Sequence, residues 1–299
     1  MKNAAVGSVS DEWRKGTNGK LIEIPLSDNT PEWQSSPPEP EIQLFNLGRL
    51  GDFPSTFEDY EIDEELAKLV KGKRVAFVCP SPHLRGMKMG EYIDSFDLVV
   101  RVNQAFHMEE GDWEDYGKRT DILVNCLNIN KINALTKDMD FARDMKYIIC
   151  SNVSMWDLER VNSFLRSTEV PWHNVSDGYL FKIFKEIGTT VNTGLTGIIT
   201  LLNYDIEEIY VTGMSFFNMN QFGQVYYEKY HNEAMSNNNF KEESNKIPKF
   251  ADLRIDIHHQ QPQIDYFHKM VEFHYGKKLA LDDYLTKNFD SAIQKVKNK

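Results

Sequence analysis

Four short stretches carry residue types that could do chemistry. One, FFNMNQFGQVYYEKYHNE (Phe216 to Glu233), holds several aromatics, His231 and two acids, with a loop that packs its own rings as the alternative. In RIDIHHQQPQIDYF (Arg254 to Phe267) the adjacent His258 and His259 precede Pro262. Imidazole changes charge near neutral pH, so such a pair beside a turn suits general acid–base work; a purely structural role is the alternative. Asp265, His268 and Glu272 follow, and His268 and Glu272, four apart, share a helix face. Zinc binding there is conceivable, but the HExxH arrangement is absent. In TTVNTGLTGIITLLNY (Thr189 to Tyr204) an apolar helix starts at Asn192, Thr193 and Gly194. Asn192 or Thr193 can cap it, and Gly194 lets a ligand approach the backbone. The free N–H groups and the positive dipole end suit a phosphate or carboxylate; an ordinary capped core helix is the competing reading. In FVCPSPHL (Phe77 to Leu84) a buried run ends in a turn of small residues, like a nucleotide loop without its glycines.

These stretches need a scaffold. RVAFVC (Arg74 to Cys79), FDLVVRV (Phe96 to Val102), TDILVNC (Thr120 to Cys126), KYIIC (Lys146 to Cys150) and EEIYVTG (Glu207 to Gly213) are short, continuous apolar runs. That is the pattern of strands covered on both faces of a sheet. Helical segments are predicted over Thr56 to Lys71, Trp156 to Arg166, Thr193 to Asn203, Ile264 to Tyr275 and Leu281 to Lys297. Strands alternating with helices predict a single α/β, Rossmann-like domain with a mostly parallel central sheet flanked by helices. Ligands then bind beyond the carboxyl ends of the strands, where CPSP and NTG fall.

The remaining organisation is coarser. Residues 1–45 are polar and proline-rich, which predicts an extended N-terminal arm. Residues 46–299 make up the folded domain, with a core at 74–215, a mobile loop at 221–250 rich in Tyr, Asn and Lys, and a C-terminal segment at 254–275. The net charge of −11 and the lack of a long Lys/Arg cluster argue against nucleic-acid binding. No apolar run approaches the ~18 residues that span a bilayer. Cys79, Cys126 and Cys150 lack CxxC spacing and lie in or beside apolar runs, so they read as small buried hydrophobes in a reducing compartment.

Taken together, these segments resemble the glycosyltransferase family that holds the animal sialyltransferases. VAFVCPSPHLRGMKMGEYIDSFDLVVRVN followed by YGKRTDILVN resembles its long motif, and IDSFDLVVRVN is the most specific part. NTGLTGIITLLNYDIEEIYVTGMSFF resembles the short motif, VYYE (Val225 to Glu228) the third and HHQQP the last. The resemblance runs from about Arg74 to Glu272, in the family's order. It implies a GT-A variant fold, CMP-sialic acid as donor and a glycan hydroxyl as acceptor. It implies inversion by direct displacement, with no metal or other cofactor.

By position, the resemblance puts Ser81 in the donor loop and Asn103 at the phosphate and ribose. Asn192, Thr193 and Gly194 would hold the cytidine, ribose or sugar carboxylate. Tyr226 and Tyr227 would lie near the leaving phosphate. His259, or its neighbour His258, would be the base, and the proline spacing favours His259. The usual glycine and asparagine of the donor loop stand as Cys79 and Pro80. The usual His of the third motif is Val225, unless His231 substitutes, and the family's paired cysteines are missing. These departures point to a soluble, cytoplasmic bacterial or viral relative; a trimmed type II membrane protein would place it in the Golgi lumen. Another CMP-activated sugar acid such as Kdo, or a catalytically silent glycan- or nucleotide-binding relative, is the alternative.

Overall fold

The computed structural model describes residues 61–103, 110–151, 158–216 and 260–298. Its elements run α1 (Glu64–Val70), β1 (Arg74–Val78), α2 (Gly90–Asp94), β2 (Leu98–Val102), α3 (Trp113–Tyr116), β3 (Ile122–Asn125), α4 (Ile129–Leu135), α5 (Met139–Asp144), β4 (Tyr147–Cys150), α6 (Leu158–Thr168), β5 (Trp172–Asn174), α7 (Asp177–Ile187), α8 (Thr193–Leu202), β6 (Glu208–Thr212), α9 (Gln260–His274), β7 (Leu279–Leu281), α10 (Asp283–Asn288) and α11 (Asp290–Lys297). All five predicted strands are present, within a residue or two of their expected bounds.

The strands pair in the order β5-β4-β3-β2-β1-β6-β7, every pair parallel. The α/β, Rossmann-like expectation is thereby met. Alternation along the strands feeds two faces. Val75, Phe77, Val100, Ile122, Val124, Ile209 and Val211 join one apolar cluster with α7, α8 and α9. Ala76, Val78, Val99 and Tyr210 join another with Ile93 and Phe96. Both faces are covered, so the runs are apolar throughout, as burial of a parallel sheet requires.

From β1 the chain steps outward through β2, β3, β4 and β5. It then returns across one face through α7 and α8 to enter β6, on the other side of β1. The strand order therefore reverses between β1 and β6, the place where open parallel sheets bind ligands. Gly197 lets α8 lie close on the sheet: a Cβ there would stand 2.9 Å from the Phe77 ring and 3.0 Å from Val124. The helix thus crosses from β1 to β3 with its N-terminus at the strands' carboxyl edge.

Two predicted helices change. The segment expected as one helix over Leu281 to Lys297 starts in β7, whose Leu281 pairs with Val211, and continues as α10 and α11. Asp282 caps α10 through the Leu285 N–H at 2.8 Å. The break falls at Phe289, buried against Phe267 at 5.0 Å between ring centroids. The helix expected from Thr56 begins, among the described residues, only at Glu64, because the Asp63 carboxylate takes the Leu66 N–H at 2.8 Å. Trp156 and residues 221–250 lie outside the described residues. Among the described residues no helix is long and apolar enough to cross a membrane.

His274, buried at the end of α9, is pushed down to about 4 by burial, with Lys278 and Lys277 adding to the effect. The unfolded chain takes up a proton near pH 6.5 that the folded chain refuses, so stability falls as pH drops from about 6.5 towards 4. From His274 alone the loss between pH 7 and pH 5 is expected to be about 2 kcal/mol. His173, likewise lowered by burial, acts in the same direction. Urea midpoints at the two pH values check this, and His274→Gln should flatten the slope.

Candidate functional site

The carboxyl ends of β1 and β6 stay paired past the strands. Cys79 N–H donates to Thr212 O and Ser81 N–H donates to Gly213 O, both at 2.9 Å. Pro80 has no N–H to give. Gly213 sits at φ +70°, and a Cβ there would stand 2.0 Å from the Cys79 carbonyl oxygen. This close approach is open only to glycine.

Ser81 is 2% exposed and held from several sides. Its carbonyl accepts the Tyr116 hydroxyl at 3.0 Å. Its Oγ lies 3.0 Å from Nδ1 of His83, and Nε2 of His83 lies 3.0 Å from Asp282 Oδ2. That carboxylate oxygen also accepts Thr212 Oγ1 at 2.8 Å and the Gly213 N–H at 3.1 Å. The Tyr284 ring stacks on His83 with centroids 4.4 Å apart.

α8 begins beside this turn. Asn192, in extended backbone, takes the Leu195 N–H on its side chain at 2.9 Å. A Cβ on Gly194 would lie 3.4 Å from Cys79 Sγ, so the first turn of α8 rests against the end of β1. Helix geometry leaves the first N–H groups without intrahelical acceptors. Asn192 satisfies one of them, and those of Thr193 and Gly194 point out of the helix start with its positive dipole end. Burial, with the Asp282 carboxylate adding to it, pushes the Cys79 thiol up to about 12. It stays neutral, as expected of a small apolar filler, and the described cysteines are unbridged.

Asn103 follows β2, the strand between β1 and β3. Its φ of 53° is left-handed, a conformation that Asn tolerates better than most residues. Its N–H donates to Val124 O at 2.9 Å and its carbonyl accepts Asn125 Nδ2 at 3.1 Å. Its Oδ1 accepts the Cys126 N–H at 3.5 Å. Its amide nitrogen has no acceptor in these bonds.

α9 closes the same edge. Gln263 Oε1 accepts the Asn192 N–H at 3.0 Å, tying the start of α9 to the start of α8. The structure thus brings Ser81, Asn103, Asn192, Thr193 and Gly194 to one edge of the sheet. Tyr226, Tyr227, His231, His258 and His259 lie outside the described residues; His259 directly precedes Gln260, the first residue of α9. His268 and Glu272 are structural: Nδ1 lies 3.1 Å from Glu272, which also takes Lys295 Nζ, while Nε2 meets Ser291. Sequence reasoning missed His83, Asn125, Gly213, Gln263 and Asp282, which hold the candidate residues in place. Only Asp282 carried a local signal, as an acid ahead of a short helical pattern.

Residues 52–193 match the model of Glycosyltransferase family 29 (sialyltransferase). The resemblance read from the sequence is borne out over that span. No curated protein matches the chain. Among solved structures, a mammalian sialyltransferase in complex with Gal-beta-1-3GalNAc-ortho-nitrophenol is 22% identical, with TM-score 0.38. The match covers 52% of this chain, which spans 60% of that one. The sialyltransferase CstII from Campylobacter jejuni, in complex with the substrate analogue CMP-3FNeuAc, is 20% identical, with TM-score 0.46 over 73% of this chain and 85% of that one. A structure of CST-II with a trisaccharide acceptor and CMP is 17% identical, with TM-score 0.42 over 72% and 84%.

Proposed function

We propose, from the match of residues 52–193 to the model of the sialyltransferase family, that this chain is a glycosyltransferase moving sialic acid from CMP-sialic acid to a hydroxyl of a glycan. The observation that carries the reading is the meeting of α8 with α9. The Asn192–Gln263 bond joins the N-terminus best placed to hold an anion to the helix that follows the His pair.

In this reading the N–H groups of Thr193 and Gly194 hold the phosphate or sugar carboxylate. Ser81 and Asn103 contribute from the ends of β1 and β2, and Tyr226 and Tyr227 lie near the leaving phosphate. His259, or His258, accepts the proton of the acceptor hydroxyl as its oxygen attacks the anomeric carbon. The bond from that carbon to the phosphate oxygen breaks, CMP leaves, and the centre inverts. A lone phosphate can be held by amides and hydroxyls, so the reaction is expected to proceed without a metal. The donor core is assigned to 74–215, the acceptor loop to 221–250 and the catalytic segment to 254–275, within a domain at 46–299 preceded by an arm at 1–45.

Isothermal titration with CMP, with and without EDTA, tests the donor site: binding that survives chelation is expected. No binding at millimolar CMP would overturn the reading. CMP release from CMP-sialic acid and from CMP-Kdo, measured side by side, tests the donor sugar, with faster release expected from the former.

A further inference from the structure

The hydrogen bonds that link Ser81, His83 and Asp282 run in a fixed direction at one end and a reversible one at the other. A carboxylate only accepts, and Asp282 already receives Thr212, Gly213 and Leu285. Nε2 of His83, 3.0 Å from Oδ2, must therefore carry a hydrogen. The role of Nδ1 then depends on the charge of the ring. In neutral imidazole Nδ1 is bare, and the Ser81 hydroxyl donates to it across 3.0 Å. In imidazolium Nδ1–H donates to Ser81 Oγ, and the hydroxyl hydrogen must point elsewhere. Little else can move. The His83 side chain is 7% exposed and stacked on Tyr284, while the Ser81 backbone is fixed at its N–H and carbonyl.

We propose that His83 is a positioning residue for the donor loop: its protonation turns the Ser81 hydroxyl from the imidazole towards the ligand, where it donates to an anionic phosphoryl oxygen. This rests on the donor reading above. With Ser81 2% exposed, the array suits one hydrogen bond to a ligand oxygen better than attack on a substrate carbon. Among the described residues, Asp282 and Tyr284, at the start of α10, touch the His83 ring, and the Cys79 thiol at the end of β1 senses the Asp282 carboxylate. The Tyr210 phenol senses the same carboxylate. Burial keeps Cys79 and Tyr210 neutral.

The test compares the Kd of CMP with that of cytidine between pH 8 and pH 5.5, in the unmodified protein, His83→Gln and Ser81→Ala. The protonation of CMP itself is common to all three and cancels. In the unmodified protein the preference for CMP should grow about tenfold more on acidification than in either variant, the scale of one hydrogen bond to a charged group. Parallel pH courses in the three proteins would overturn the proposal while leaving the donor site intact. Equal affinity for CMP and cytidine at every pH would overturn the phosphate reading, and this inference with it. Histidine 15N NMR of the unmodified protein gives a second readout that does not depend on the variants folding. CMP, but not cytidine, should raise the His83 titration midpoint by about one pH unit, the reciprocal of the tenfold effect. An unmoved midpoint would overturn the proposal.

Discussion

Gly213→Ala is expected to destabilise the fold by more than about 3 kcal/mol, enough to leave little folded protein at 37 °C. The left-handed φ of +70° alone costs a β-carbon roughly 1–2 kcal/mol. Steric overlap costs more. The new carbon would sit 2.0 Å from the Cys79 carbonyl oxygen, a backbone atom that cannot swing aside. Cys79 N–H is bound to Thr212 O, Ser81 N–H to Gly213 O, and Gly213 N–H to Asp282, so relief means parting β1 from β6. Gly276→Ala is the control: φ is also +70° but nothing lies within 4 Å of the added carbon, so about 1–2 kcal/mol is expected. Urea denaturation of the two variants separates the effects. Equal losses would show that the β1–β6 joint yields more easily than its hydrogen bonds imply.

The double variant His258→Ala/His259→Ala is expected to lower the transfer rate 10²- to 10⁴-fold, the usual worth of a positioned base. CMP affinity should stay within about threefold, because the proposed donor contacts come from Ser81, Asn103 and the α8 start. The single variants then distribute the effect, with the larger loss expected at His259. Replacement by glutamine keeps hydrogen-bonding capacity but not proton acceptance, and should recover little of the rate. An undiminished rate in the double variant would remove the imidazole from the mechanism and leave the nucleotide site standing.

What could be read along the chain depended on where each signal was stored. RVAFV and LVVRV announce buried strands because every residue but Arg74 faces a covered side or, as with Arg101, has its charge taken up indoors. Arg101 is 0% exposed, and its guanidinium donates to the carbonyls of Tyr116, Gly117 and Arg119. β5 and β7 stayed hidden. Trp172–Asn174 has no apolar run, and Leu279–Leu281 is three residues long against a helical pattern. The NTG start of α8 was legible because capping is local: Asn192 meets an N–H three residues away. His83 was not, because its meaning comes from Asp282, 199 residues further on. Nor does the sequence around Asn103 reveal that its left-handed backbone and the fully buried Asn125 fix how it leaves the sheet.

The interior place of β1 in the sheet also bears on biosynthesis. Its inner edge is completed by β2 within 30 residues, yet its other edge waits for β6, with Arg74 and Glu208 meeting across 134 positions. The carboxylate that anchors His83 emerges from the ribosome later still. Contacts this remote raise the loop-closure cost and slow folding. A nascent chain that has passed α8 but not residue 282 therefore displays an unfinished apolar sheet edge, and its Ser81–His83 pair lacks the carboxylate that holds it. Chaperone dependence should be greatest in that window, and C-terminal truncations should fail together rather than by degrees.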